Sequence, residues 1–152
     1  MARMRSLFVI ATLLSLSIPG AASADQPLES PDAFEAAVTR CLLTNAAPSS
    51  CFDAHLRGHF PPGNEKLNEV VGQLRGLFEK WLGKDKVFAF HSVKRLTLGT
   101  YAERRVYLVE DSSGAIMMLD TTFSRMVGKW YLRKFNLSST KDEIKSVLGD
   151  VL

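Results

Sequence analysis

Between residues 67 and 82 the apolar positions Leu67, Val70, Val71, Leu74, Leu77, Phe78, Trp81 and Leu82 recur at spacings of three and four, with Glu69, Gln73, Arg75, Glu79 and Lys80 between them. That period matches the turn of an α-helix and predicts one wide apolar stripe, with Asn64 able to cap its start and Gly83 its end. Such a stripe needs a sheet or other helices to lie on, so Leu74, Leu77, Phe78 and Trp81 are expected in the interior. Two shorter helical patterns precede it. Ser30-Pro31 supplies a cap and a first helical residue, and Phe34, Ala37, Val38, Cys41 and Leu42 follow at helical spacing. Ser50 and Asp53 resemble a capping box for a short helix carrying Phe52 and Leu56, before Pro61-Pro62-Gly63 breaks the chain.

From Val87 onward the pattern changes to runs rich in valine, threonine and aromatic residues. Four strands are predicted: Val87 to Leu98, Tyr101 to Glu110, Ala115 to Phe123 and Lys129 to Leu137. The connections at Gly99-Thr100, Asp111 to Gly114 and Val127-Gly128 are too short for anything but antiparallel neighbours. The first strand exceeds the usual length and is expected to bend near His91-Ser92. Thr140 with Glu143 then forms a second capping-box pattern, ahead of Ile144, Val147 and Leu148. The predicted fold class is α+β: N-terminal helices, one long amphipathic helix packed on a curved four-stranded antiparallel meander, and a short C-terminal helix.

The first residues follow neither pattern. Met1, Arg3 and Arg5 lead into an apolar run from Leu7 to Ile18, then Pro19-Gly20 and the small residues Ala22-Ser23-Ala24. This order is that of a cleaved secretory signal, residues 1–24, and the run is too short for a comfortable permanent membrane span. The mature chain is expected to begin at Asp25, to be exported to the periplasm or beyond without a stable membrane anchor, and to form one domain over residues 25–152. Removing Arg3 and Arg5 lowers the basic count from 19 to 17 against 16 acidic residues. Near-neutral charge argues against a nucleic-acid partner. Cys41 and Cys51, in an oxidising compartment, are expected to pair.

The segment Val127-Gly128-Lys129-Trp130-Tyr131-Leu132-Arg133-Lys134-Phe135 is similar to the last hairpin of many small exported proteins of the nuclear-transport-factor-2-like group, in which a Gly, a basic residue and a Trp open the final strand. Together with the long helix and meander, it makes residues 64–137 resemble the nuclear-transport-factor-2-like and cystatin-like superfolds. That resemblance implies a cone of sheet and helices, and it hosts isomerases, dehydratases, secretion components and plain binding modules, so it does not select a function. Its enzymes commonly pair an Asp with a His or Tyr inside the cone. No local motif here marks such a pair, and the added C-terminal helix could lid or plug a cone.

Several residues are candidates for chemistry. Asp120 shares a strand face with Ile116 and Met118. On a concave apolar face its carboxylate would be a raised-pKa general base; on the other face, or beside Arg104 or Arg105, it would be an ordinary ion-pair partner. His55 and His59, four apart, would share a face of a continuous helix as metal ligands, although Gly58 and Pro61-Pro62 argue against that helix. Tyr101, Tyr107, Trp130 and Tyr131 could line a ligand pocket or pack the core. Lys94-Arg95, Arg104-Arg105 and Arg133-Lys134 could form a basic ridge that attracts an acidic partner, interrupted by Glu103 and Glu110. Asn136-Leu137-Ser138 fits the glycosylation pattern but lies at a strand end. The reading that follows is a non-enzymatic exported binding module, without a cofactor, for a small apolar ligand or an envelope protein. The alternatives are a small isomerase- or dehydratase-like enzyme using Asp120, and an inhibitor or immunity-type partner protein.

Overall fold

The computed structural model describes residues 26–64 and 66–149. The expected signal segment, residues 1–24, and its expected cleavage point after Ala24 lie outside the described residues. In chain order the elements are α1 (Pro31–Thr44), α2 (Ser50–His55), α3 (Leu67–Leu82), β1 (Val87–Leu98), β2 (Ala102–Asp111), β3 (Ile116–Met126), β4 (Lys129–Ser138) and α4 (Lys141–Leu148). The strands form one open antiparallel sheet in the order β1-β2-β3-β4, so the fold is α+β as the periodicities predict.

Each side of the sheet has its own apolar layer. On the inner side Phe34, Val38 and Leu42 of α1, Phe52 of α2 and Val71, Leu74 and Phe78 of α3 pack on Tyr107, Val109, Leu119, Phe123, Leu132 and Phe135. Edge-to-face rings lock this layer: Phe34 on Phe123 at 5.1 Å, and Phe52 on Phe78 at 4.9 Å and on Phe135 at 5.7 Å. On the outer side the single helix α4 lays Ile144 on Val106, Leu108 and Met118. The Lys94 ammonium donates to the Val147 carbonyl at 2.7 Å, satisfying the C-terminal end of α4. The Cys41–Cys51 disulfide closes a short loop between α1 and α2, which in the chain-entropy account stabilises by about 3 kcal/mol.

Local signals hold unevenly. The Ser30 side chain accepts from the Ala33 N–H, and Gly83 ends α3 at φ 57°, both as read from sequence. β1 is irregular where a bend is expected, with a register shift between Ser92 and Lys94, and again between Val87 and Ala89. Three caps differ. Helix α3 begins at Leu67 behind Lys66, and Asn64 contributes only its backbone carbonyl, to the Leu67 N–H. Ser49 rather than Ser50 precedes α2, with its hydroxyl drawn to Glu79 at 2.7 Å, while Asp53 is taken by Arg57 and Arg75. At α4, Thr140 bonds the Glu143 side chain but caps no backbone donor. The expected burial of Leu77 is also corrected: it is 54% exposed, and Trp81 is half-buried, because both lie with the exposed Val70 on one flank of the stripe, while Val71, Leu74, Phe78 and Leu82 fill its buried centre.

Candidate functional site

Strand alternation sorts the charged residues onto two faces. Glu103, Arg105, Tyr107 and Val109 face the helices, whereas Arg104, Val106 and Leu108 lie on the side of α4. Register then carries two rows across all four strands on the outer side: Leu96, Arg104, Thr122, Lys134, and beyond it Leu98, Ala102, Ser124, Tyr131. Helix α4 covers the Val106 and Leu108 rows and stops short of these two.

Asp120 belongs to the outer face and is 3% exposed. Arg104 grips it as a fork, Nε donating to Oδ1 at 2.8 Å and Nη2 to Oδ2 at 2.7 Å, and the Lys134 ammonium stands 3.9 Å away. Hydrogen bonding to Asp120 raises the Arg104 pKa further above its ordinary value. Both carboxylate oxygens are engaged by a permanent cation, the arrangement of a structural ion pair.

The uncovered end of the sheet is apolar. Leu98 is 69% exposed and Tyr101 62%, and Leu96 stands half in solvent. The β1–β2 and β3–β4 hairpin tips lie at this same end, because alternate strands of a meander turn together. Val127, at the β3–β4 tip, is 100% exposed and holds φ 50°, with Gly128 at φ 77°. Two positive φ angles make the two-residue turn that matches strand twist, a turn that favours Asn-Gly. A β-branched residue there is strained. Three cations border the patch: Arg104, Lys134 and the exposed Arg133, which sits where β4 shifts register and touches the Met126 sulfur at 3.8 Å. Asp120 stands against two of them, Arg104 and Lys134.

The remaining sequence candidates do not assemble into one pocket. Tyr107 is buried on the inner side, its ring tilted against that of Phe90 with centres 4.8 Å apart and its hydroxyl donating to Glu35 at 3.0 Å; burial and the Glu35 charge push its pKa upward. Trp130 packs against the inner layer under Arg125, 5.5 Å from the ring centre, and Leu28 bridges to it. Tyr131 is buried in the outer row and Tyr101 lies in the β1–β2 turn. His55 ends α2, so His55 and His59 do not share a continuous helix; the His59 ring bonds the Gln26 carbonyl at 2.7 Å. Burial, and then the nearby His59, hold the His55 pKa low. Among the described residues no cluster of His, Cys, Asp and Glu has the geometry to hold a metal ion. The basic ridge divides likewise: Lys94 and Arg104 lie outside, and Arg95 and Arg105 inside.

One charged cluster has no local motif in the sequence. Arg105, 2% exposed at its side chain, lies on the inner face of β2 and donates hydrogen bonds to Glu103, to Glu35 at 2.6 Å and to Asp32. Burial opposes its charge, but the hydrogen bonds with Asp32, Glu103 and Glu35 outweigh that and raise its pKa. The sequence signal was alternation: Glu103 and Arg105 take the same parity as Tyr107 and Val109, and Asp32 and Glu35 flank Phe34 on α1. The ion cluster thus ties α1 to β2. Comparison with known proteins gives no match to a family model, a curated protein or a solved structure.

Proposed function

We propose that this protein is an exported, non-enzymatic binding module that docks an acidic protein partner on the uncovered end of its outer sheet face. The single observation that carries the reading is the grouping of exposed Leu96, Leu98, Tyr101 and Val127 at one end of the sheet, bordered by Arg104, Arg133 and Lys134. An apolar centre with a charged rim is the anatomy of a protein interface, and rim cations steer carboxylate-bearing partners. The strained Val127 supports it, since stability alone favours Asn or Gly at that turn and local rules are broken where contacts require it. The Arg105 ion cluster on the inner sheet face and the occupied Asp120 carboxylate favour this reading over a base-catalysed isomerase. The disulfide fits the oxidising compartment to which residues 1–24 would direct the chain. The helix-on-meander order agrees with a nuclear-transport-factor-2-like or cystatin-like ancestry, which we include in the proposal.

A photo-cross-linking residue at position 98, compared with one at Gln73 on the exposed side of α3, tests this reading in the protein's own host. The expected result is one discrete protein adduct from position 98, lost on Arg133→Glu with Lys134→Glu, and none from position 73. Equal adducts from both positions, or none from position 98, would overturn it.

A further inference from the structure

The uncovered flank of the α3 stripe, at Leu77 and Trp81, borders a groove of about 420 Å³, within the range of small-molecule sites. Leu77 and Trp81 of α3 form one wall, Met117 and Leu137 the floor, and the first turn of α4 with Glu143 the other wall. We infer that this groove binds a small anionic amphiphile, its apolar body on Trp81 and Leu77 and its carboxylate at Lys80. This site lies at the opposite end of the sheet from the hairpin tips and stands independently of the docking face.

Charge decides the ligand class. Arg75, little more than a turn earlier on α3, is bound to Asp53 at 2.9 Å. The Lys80 ammonium at the groove rim makes no ion pair or hydrogen bond among the described residues. On the opposite wall Glu143 accepts from the Thr140 hydroxyl at 3.3 Å and repels a second carboxylate. A ligand anion is therefore directed to the α3 side, which fixes its orientation. Leu77, 54% exposed beside the buried Phe78, gains burial when an apolar chain lies along it.

The test is titration with decanoate and with its neutral counterpart decan-1-ol, read by Trp81 fluorescence in a Trp130→Phe background. If that background fails to fold, the indole N–H resonance of Trp81 in the otherwise unaltered protein gives the same readout. Decanoate is expected to produce a saturable change and to bind at least about tenfold more tightly than decan-1-ol, equivalent to about 1.4 kcal/mol. Lys80→Met should abolish that preference, and Leu77→Asp, at an exposed position that leaves the fold intact by circular dichroism, should weaken both ligands more than tenfold. No saturable change with decanoate, unaltered preference in Lys80→Met, or unaltered binding in Leu77→Asp would each overturn the inference.

Discussion

Arg104 holds Asp120 through two parallel hydrogen bonds of 2.8 and 2.7 Å, with the carboxylate buried and the guanidinium side chain about a third exposed. The asymmetry of burial makes the pair asymmetric in energy. Arg104→Met strands a buried carboxylate and should destabilise by about 2 to 4 kcal/mol, whereas Asp120→Asn leaves a cation that can turn to water and should destabilise by about 1 kcal/mol. Urea denaturation of both variants checks the order. Asp120→Asn should also leave biological activity within a few-fold of normal; a loss of about a hundredfold without unfolding would restore the general-base alternative.

The buried centre and the open flank of the α3 stripe should respond differently to truncation. Phe78, fully buried between Phe52 and Trp81, should lose about 3 to 5 kcal/mol on replacement by Ala. Leu77→Ala, at a half-open position, should fall below about 1 kcal/mol. Thermal unfolding of the pair separates them.

These two residues also mark how far sequence carries. Phe78 and Leu77 share one periodic stripe, and periodicity says which side of a helix is apolar without saying how much of its width is covered. The same limit explains Asp120: alternation assigns it correctly to the face of Ile116 and Met118, but which face α4 covers and which arginine reaches it depend on register. Helices, strands and the disulfide pairing are local and legible. The Arg105 cluster joins residues some seventy positions apart, and the exposed apolar end of the outer sheet face exists only once two hairpin tips come together.

Val127 should be traded for stability at the expense of binding. Val127→Asn suits a positive φ and should raise stability by about 1 kcal/mol, read as a higher denaturation midpoint. If the exposed side chain contributes to docking, the same variant should bind its partner more weakly.

Stability should fall at both extremes of pH. A hydrogen bond from Arg105 holds Asp32 below the usual carboxylate range, as one from Arg57 does Asp53. Burial opposes the charge of Asp111, yet the Ser113 hydroxyl and the turn N–H groups hold its pKa low. For such depressed groups the contribution is present above the unfolded value of about 4 and is lost as pH falls through the folded values. Tyr107 has the opposite sign: its raised pKa contributes below the unfolded value of about 10, and that contribution is lost as pH rises through the folded one. Denaturation midpoints measured across pH should decline at both ends. Asp32→Asn should shallow the acid limb and Tyr107→Phe the alkaline one; limbs unchanged in both variants would contradict these assignments.

The central claim is that one end of the outer sheet face holds a protein partner, and comparative affinity capture from the exported fraction of the protein's own host tests it most directly. The protein and its Leu96→Asp, Leu98→Asp double variant, both changes lying at exposed positions, are immobilised side by side and washed at rising salt. The account predicts one stoichiometric acidic protein on the unaltered bait, retained less as salt increases, and absent from the variant. Equal recovery on both baits, or recovery indifferent to salt, would contradict it.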